Sequence, residues 1–137
     1  MKYQAITIKQ TYIVSIEPNE DIVDALTAFV QEKKLQSGYL IGIGAVKMIR
    51  FGHYSVKDKK YTERKMKKPL ELSTITGIVT QGHVHVHATV GSALFRAYAG
   101  HLSHATVAAA CEIIVVETKE KVTRKRSEEI GLDLIDL

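Results

Sequence analysis

Residues 83–90 read His-Val-His-Val-His-Ala-Thr-Val, a stretch that begins with strict alternation of polar and apolar side chains. In an extended chain successive side chains point to opposite faces, so the histidines share one face and the valines the other. This alternation predicts a β-strand with one face in the core. Around it, residues 72–95 contain no Asp, Glu, Lys or Arg. Glycine and glutamine interrupt that segment, so we expect buried strands and turns here and no membrane span.

Most of the remaining chain has the same β character. Apolar residues alternate with polar ones, or run together, between segments rich in Gly, Pro, Asn or Ser. The predicted strands cover residues 3–9, 12–16, 39–43, 48–56, 70–79, 84–90, 94–98 and 109–118. The tail, residues 127–137, alternates enough to add an edge strand.

One segment has helical periodicity instead. Asn19 is placed to cap a helix N-terminus, and Ser37-Gly38 is placed to end the helix. The apolar face consists of Ile22, Leu26, Phe29 and Val30. One amphipathic helix with mostly antiparallel strands predicts an α+β fold, in which the helix packs on a strongly curved sheet of six to eight strands.

The composition is typical of a globular protein with one hydrophobic core. The chain has 137 residues, of which 45% are hydrophobic and 25% are charged, so we expect a single domain over residues 1–137. Cys111 is the only cysteine, which excludes an internal disulfide and a cysteine-based zinc site. The N-terminal residues contain no apolar run typical of a signal peptide, and we expect a cytoplasmic protein.

The histidines are the strongest functional signal. Five of the six lie between residues 83 and 104, where Arg96 is the only formally charged residue. Imidazoles on alternate residues of one strand face can converge on a metal ion, and His101 could supply a third ligand if the chain folds back near Gly91. His83, His85 and His87 with His101 are therefore candidate ligands for zinc. The alternative is that these histidines are hydrogen-bonded packing residues of a half-buried strand; the role of His104 stays open.

Other side chains are weaker candidates. Glu71 and Glu112 lie inside apolar, strand-like runs. Either could orient a ligand histidine, act as a general base beside a metal-bound water, or simply face solvent. Arg96 or Tyr54 could orient a small anionic ligand. Cys111 lies in an apolar run and is expected in the core.

The net charge of +4 is concentrated in residues 57–68, which carry seven basic and two acidic residues. Such a run either contacts phosphates or forms a solvated loop or edge strand. If it binds DNA, the contacts would come from lysines, and the affinity would be weak, non-specific and sensitive to salt. The candidate contact residues are Lys59, Lys60, Lys65 and Lys67.

Six short motifs in order resemble the PPC domain, the plants and prokaryotes conserved domain, and the resemblance covers residues 12–134. They are Glu17-Pro18-Asn19-Glu20-Asp21-Ile22, Ser37-Gly38, Gly42-Ile43-Gly44-Ala45-Val46, Leu70-Glu71-Leu72 with Gly77, His85-Val86-His87, and Gly100-His101-Leu102. The resemblance implies an α+β fold, a homotrimer, and a metal site, expected to hold zinc, at His85, His87 and His101. It leaves His83 as an alternate ligand. The family's fold is similar to that of acetolactate decarboxylase, a zinc enzyme that uses three histidines.

Plant members of this family carry an AT-hook, an Arg-Gly-Arg-Pro element that enters the DNA minor groove. This sequence has no such element, since its only prolines are Pro18 and Pro69. The resemblance therefore implies a stand-alone PPC-domain protein that binds a metal ion and forms a homotrimer, with DNA binding or association with transcription as its expected role. The alternative is a zinc-dependent lyase, similar to a decarboxylase, that acts on a small oxoacid.

Overall fold

The computed structural model describes residues 1–137 and contains one helix and seven strands. In chain order these are β1 (Ile8–Ile16), α1 (Ile22–Glu32), β2 (Ser37–Ser55), β3 (Lys60–Thr80), β4 (His83–Gly91), β5 (Ala97–Thr118), β6 (Thr123–Ser127) and β7 (Leu132–Asp136). Five strands form an antiparallel sheet in the order β1-β5-β2-β3-β4, while β6 and β7 form a separate hairpin. The predicted α+β class is confirmed.

The main sheet closes on itself because β4 pairs with β5 as well as with β3. Strands β2, β3, β4 and β5 therefore form a ring, and a closed ring of strands must be strongly curved. The long strands make this possible by changing partners along their length. In β5, residues 97–101 pair with β4 and residues 111–118 pair with β1.

The strands are longer than the sequence pattern predicts. The predicted strands 39–43 and 48–56 are parts of the single strand β2. Register shifts between Gly42 and Gly44 and between Val46 and Met48 interrupt the alternation within β2. A bent strand with bulges therefore resembles two short strands in sequence.

Other predicted strands also differ from the observed ones in their boundaries or partners. The predicted strands 3–9 and 12–16 are replaced by β1, which starts only at Ile8. Residues 99–108, which had no predicted structure, belong to β5, and of the predicted strand 94–98 only residues 97–98 lie in it, because residues 94–96 precede β5 outside any strand. The tail was predicted as one edge strand, but it folds back on residues 123–127 as the β6–β7 hairpin.

Helix α1 is capped by Asp21 and not by the predicted Asn19. The Asp21 carboxylate accepts hydrogen bonds from the backbone N–H of Val23 at 3.0 Å and of Asp24 at 3.3 Å. Its second oxygen accepts from the N–H of Ala105 in β5 at 3.0 Å. Asp21 therefore caps the helix and bonds to the sheet through one carboxylate, and the bond to the sheet is a tertiary contact.

The helix also ends earlier than predicted. It ends at Glu32, and Lys34 has a φ angle of 54°, in the left-handed region that terminates helices. Gly38 already lies in β2. The apolar face is confirmed, since Ile22, Leu26 and Val30 are fully buried against the sheet.

The core is one cluster of 22 buried apolar residues between the helix and the sheet. It contains Cys111 as a free, buried thiol, as predicted. Gly77 in β3 allows β4 to approach closely: a Cβ at this position would lie 2.5 Å from the carbonyl oxygen of His85. No helix of the protein has the length and apolar character that crossing a membrane requires.

Candidate metal centre

Three histidines from two neighbouring strands come together on one face of the curved sheet. His85 and His87 alternate with the buried Val86 on β4, so their side chains share the opposite face. His101 on β5 lies directly across from His87 in the β4–β5 pairing. The turn between these strands therefore brings together two ligands near in sequence and one distant ligand. We call His85, His87 and His101 the histidine triad.

The triad has the dimensions of a metal site. One ring nitrogen from each histidine lies within 4.8 Å of a nitrogen from each of the others. The ring centroids are 5.3 Å apart for His85 and His87, 5.1 Å for His85 and His101, and 5.4 Å for His87 and His101. Three imidazoles in this nearly equilateral arrangement can bind one ion and leave a further coordination position open, as in catalytic zinc sites.

One ring nitrogen of the triad has no hydrogen-bond partner. Nδ1 of His101 is buried and has no hydrogen-bond partner. A buried nitrogen without a partner costs free energy, and the great majority of buried polar atoms in folded proteins avoid that cost. A metal ion bound by the triad is one way of satisfying it, and the donor set of three imidazoles suits zinc and related transition metals.

The surroundings of the triad favour the neutral imidazole at two of its histidines, His85 and His101. Burial, together with the positive charges that His101, His87 and Arg124 would place nearby, lowers the pKa of His85 to about 4. Burial and the neighbouring His87 also lower the pKa of His101, although the carboxylate of Glu63 opposes the shift. Metal ions bind the neutral imidazole, so these shifts favour metal binding at neutral pH.

Several residues around the triad were not predicted from the sequence. Tyr61 packs on His101 with ring centroids 5.4 Å apart, and it covers Gly52, where a Cβ would lie 2.9 Å from the Tyr61 ring. Glu63 is paired with Arg50 at 3.7 Å and accepts a hydrogen bond from Ser103 at 3.1 Å. These residues reach the site through pairings between β2, β3 and β5, and no local sequence pattern signals such pairings.

The acidic candidates Glu71 and Glu112 lie elsewhere on the sheet. Both are exposed and line one open groove of about 430 Å³, together with Ser73 and small residues of β2 and β5. None of the triad histidines lines this groove. Their role as catalytic acids therefore stays a prediction, and the structure groups them with each other instead of with the triad.

The remaining histidine and anion candidates also lie outside the triad. His83 is exposed at the start of β4, opposite Thr80. His104 lies 3.6 Å from the Asp21 carboxylate, and with Asp24 these residues form a second group of possible ligands. Arg96 is exposed in the turn before β5, where its backbone N–H donates to Ser92.

The predicted DNA-contact lysines lie on and beside the β2–β3 hairpin. Lys59 is in the turn, where its Nζ donates to the carbonyl of Glu128 at 2.5 Å. Lys60, Lys65 and Lys67 are exposed on β3. Residues 60–67 pair only with β2, because β4 pairs with residues 71–80. The lysines therefore line a solvent-exposed strand with one free edge.

The fold and the triad together define a small α+β protein with a closed antiparallel sheet and a three-histidine site. The Plants and Prokaryotes Conserved (PCC) domain, which is the PPC domain, matches residues 3–119. The chain belongs to this family. No protein of curated function matches the sequence.

Solved structures agree with the family assignment. A "putative DNA binding protein" from Bacteroides thetaiotaomicron is 34% identical with a TM-score of 0.88, and the match covers 96% of each chain. A metal-containing protein from Archaeoglobus fulgidus is 27% identical with a TM-score of 0.91, over 100% of each chain. Acetolactate decarboxylase from Bacillus subtilis is similar in fold alone: it is 12% identical with a TM-score of 0.57, over 85% of this chain and 55% of the enzyme.

Proposed function

We propose that this PPC-domain protein, folded as a single domain over residues 1–137, binds one zinc ion through His85, His87 and His101. The observation that carries the proposal is the convergence of three imidazoles, one of which has a buried nitrogen without a partner. The metal-containing relative from Archaeoglobus fulgidus supports it. When bound, the ion would act as a Lewis acid with an open coordination position. We also propose a cytoplasmic location, where the single thiol of Cys111 would stay reduced.

Cobalt substitution tests the geometry of this site. Co²⁺ replaces zinc in sites of this kind, and its visible spectrum reports the coordination number. We expect the wild-type protein to bind about one Co²⁺ per chain, with the intense absorption of a four-coordinate ion. His83→Ala is the matched control and should give the same spectrum. A wild-type spectrum of six-coordinate, aqueous cobalt would contradict the proposal.

The protein is further proposed to form a homotrimer through an exposed apolar face of the sheet. Ile13, Ile114 and Ile41 lie side by side on β1, β5 and β2 and are 83%, 46% and 53% exposed. An apolar row of this kind on a sheet face is typical of a subunit interface. Ile41→Lys should convert a trimer into a monomer in light scattering, whereas Val56→Lys, in the β2–β3 turn, should not. A monomeric wild-type protein would refute the trimer.

For the role of the protein, we propose weak, non-specific association with DNA through Lys59, Lys60, Lys65 and Lys67. The exposure of Lys60, Lys65 and Lys67 on β3, with Lys59 in the turn before it, supports the proposal, and three copies in a trimer would act together. Replacing all four by Glu should abolish retention on DNA at low salt. A control with the same charge change at Lys2, Lys34, Lys119 and Lys121 should reduce retention far less. Equal retention by both variants would contradict a specific role of the β3 lysines.

A zinc-dependent lyase that acts on a small oxoacid is the second candidate function. The open coordination position of a three-histidine site favours it, because a metal ion there can polarise a carbonyl oxygen. Zinc-loaded protein should then release carbon dioxide from a 3-oxo acid faster than the same protein with the His85→Ala and His87→Ala substitutions. Equal rates would remove this candidate. Glu71→Gln and Glu112→Gln would then test the predicted catalytic acids separately.

A further inference from the structure

The β6–β7 hairpin lies beyond residues 3–119, the part of the chain that the family domain covers, yet it contacts two segments that flank the histidine site. At one end, the backbone N–H of Arg124 donates to the side chain of Gln81 in the β3–β4 turn at 3.1 Å. At the other end, Tyr54 donates to the carbonyl of Ile130 at 2.8 Å. The hairpin therefore runs from the β3–β4 turn, which precedes β4, to Tyr54 near the end of β2, two residues beyond Gly52, the partner of His101.

Arg124 is held firmly at the base of this hairpin. Its Nε donates to Thr80 Oγ1 at 2.7 Å, and its Nη1 donates to the carbonyl of Asp133 at 2.7 Å. The side chain is half-buried, and both of its partners are neutral. No carboxylate lies within ion-pair distance of the guanidinium, whereas the next arginine on this strand, Arg126, is paired with Asp133 at 3.7 Å. Arg124 thus presents a fixed positive charge and has guanidinium N–H donors that are not engaged in hydrogen bonds within the chain.

A divalent ion in the triad would make this region strongly positive. The ligands are three imidazoles, and Arg124 is bound to the same face of the sheet. Its Nε donates to Thr80, which pairs with His83, the residue two positions before His85. Glu63, the acid that acts on His101, is already engaged by Arg50 and Ser103. A bound divalent ion and Arg124 would then be two positive centres on one face of the sheet, neither paired with a carboxylate, and such an arrangement favours an anion between them.

We propose that Arg124 and the open position of the metal ion together bind one small oxoanion, a carboxylate or a phosphate. The inference rests on the proposed metal site and adds the ligand class and the residue that recognises it. The N–H groups of the guanidinium that Thr80 and Asp133 leave free would donate to the anion, and an oxygen of the same anion would bind the metal ion when the ion is present. In this proposal the residue that orients the anion is Arg124, whereas the sequence pattern indicated Arg96 or Tyr54. Tyr54 instead anchors the hairpin through Ile130.

The test uses the cobalt-loaded full chain, titrated with pyruvate and, separately, with inorganic phosphate. Binding at the metal changes the visible spectrum and gives a dissociation constant for each anion. Arg124→Gln removes the charge, and Arg126→Gln is the matched control on the same strand. Arg124→Lys keeps the charge without the planar donor pair, and thermal unfolding of every variant checks that the hairpin and the domain remain folded.

We expect Arg124→Gln to weaken anion binding by about 10-fold to 100-fold, the usual effect of losing a hydrogen bond to a charged group. Arg126→Gln should leave it unchanged, and Arg124→Lys should lie between. The preferred anion shows whether carboxylate or phosphate is the natural chemistry. Cobalt uptake with equal anion affinity in wild type and Arg124→Gln would overturn this inference alone. Failure of the wild-type protein to bind cobalt would overturn the metal site and the inference with it.

Discussion

The protein contains two groups of three potential metal ligands, and they differ in what their atoms already contact. The histidine triad has no carboxylate, and its His101 Nδ1 is buried without a partner. The second group, which we call the capping cluster, consists of Asp21, Asp24 and His104. There the Asp21 carboxylate accepts three backbone hydrogen bonds. Proximity alone therefore does not define a metal site. In the capping cluster the Asp21 carboxylate is already hydrogen-bonded, whereas in the histidine triad His101 Nδ1 has no partner.

The largest expected effect separates the two groups by metal affinity. His101→Ala removes the one ligand that comes from β5, so the zinc affinity should fall by more than about 100-fold. Asp24→Asn changes the capping cluster and should leave the affinity unchanged. Competition with a chromophoric chelator measures both. Similar affinities for the two variants would mean that zinc binds outside the triad.

The next effect concerns stability. Asp21→Ala removes the N-cap and the bond to Ala105, so it should lower the free energy of unfolding by about 1–2 kcal/mol while zinc binding is retained. Asp24→Asn, the matched control in the first helical turn, should change it by no more than about 0.5 kcal/mol. Urea unfolding of the metal-free variants measures both. A fully stable Asp21→Ala variant would contradict the structural role of the capping cluster.

The metal-free protein should also lose stability in acid because of the triad. The folded-state pKa of His85 is about 4, below the ordinary 6.5, so the unfolded chain binds more protons between these pH values. Stability contributed by neutral His85 is therefore present above about pH 6.5 and is lost as the pH falls towards 4. Between pH 6.5 and about pH 4 the unfolding midpoint of wild type should fall by more than that of His85→Ala. Parallel curves would contradict the shifted pKa.

The smallest effect is expected at His104. Its side chain is 43% exposed and its only charged contact is the 3.6 Å approach to Asp21. An exposed pair of this kind contributes little, so His104→Ala should change the free energy of unfolding by less than about 0.5 kcal/mol. Urea unfolding at pH 6 gives the value. A loss as large as that of Asp21→Ala would show that the capping cluster depends on its histidine.

The sequence predicts the parts of this protein that depend on local periodicity. The alternation around Val86 predicts a strand that presents His85 and His87 on one face, and the spacing of Ile22, Leu26 and Val30 predicts the buried face of the helix. Both are confirmed by the burial of these residues. His101 could be proposed as a third ligand because the turn between β4 and β5 is short enough to bring it back.

What could not be predicted depends on contacts between distant segments. Asn19 and Asp21 are both good caps, and the N–H of Ala105 decides between them. The closure of the sheet, the packing of Tyr61 on His101 and the position of Arg124 all follow from pairings across many residues. Local pattern contains no information about such pairings, so the surroundings of the site emerge only from the fold.

Elemental analysis of purified, tag-free protein tests the central claim most directly. We expect about one zinc ion per chain in wild type and in the capping-cluster variant Asp24→Ala/His104→Ala, and none in His85→Ala/His87→Ala. Circular dichroism shows whether the variants remain folded. Full zinc content in His85→Ala/His87→Ala, or loss of zinc only from the capping-cluster variant, would contradict the assignment of the metal to the histidine triad.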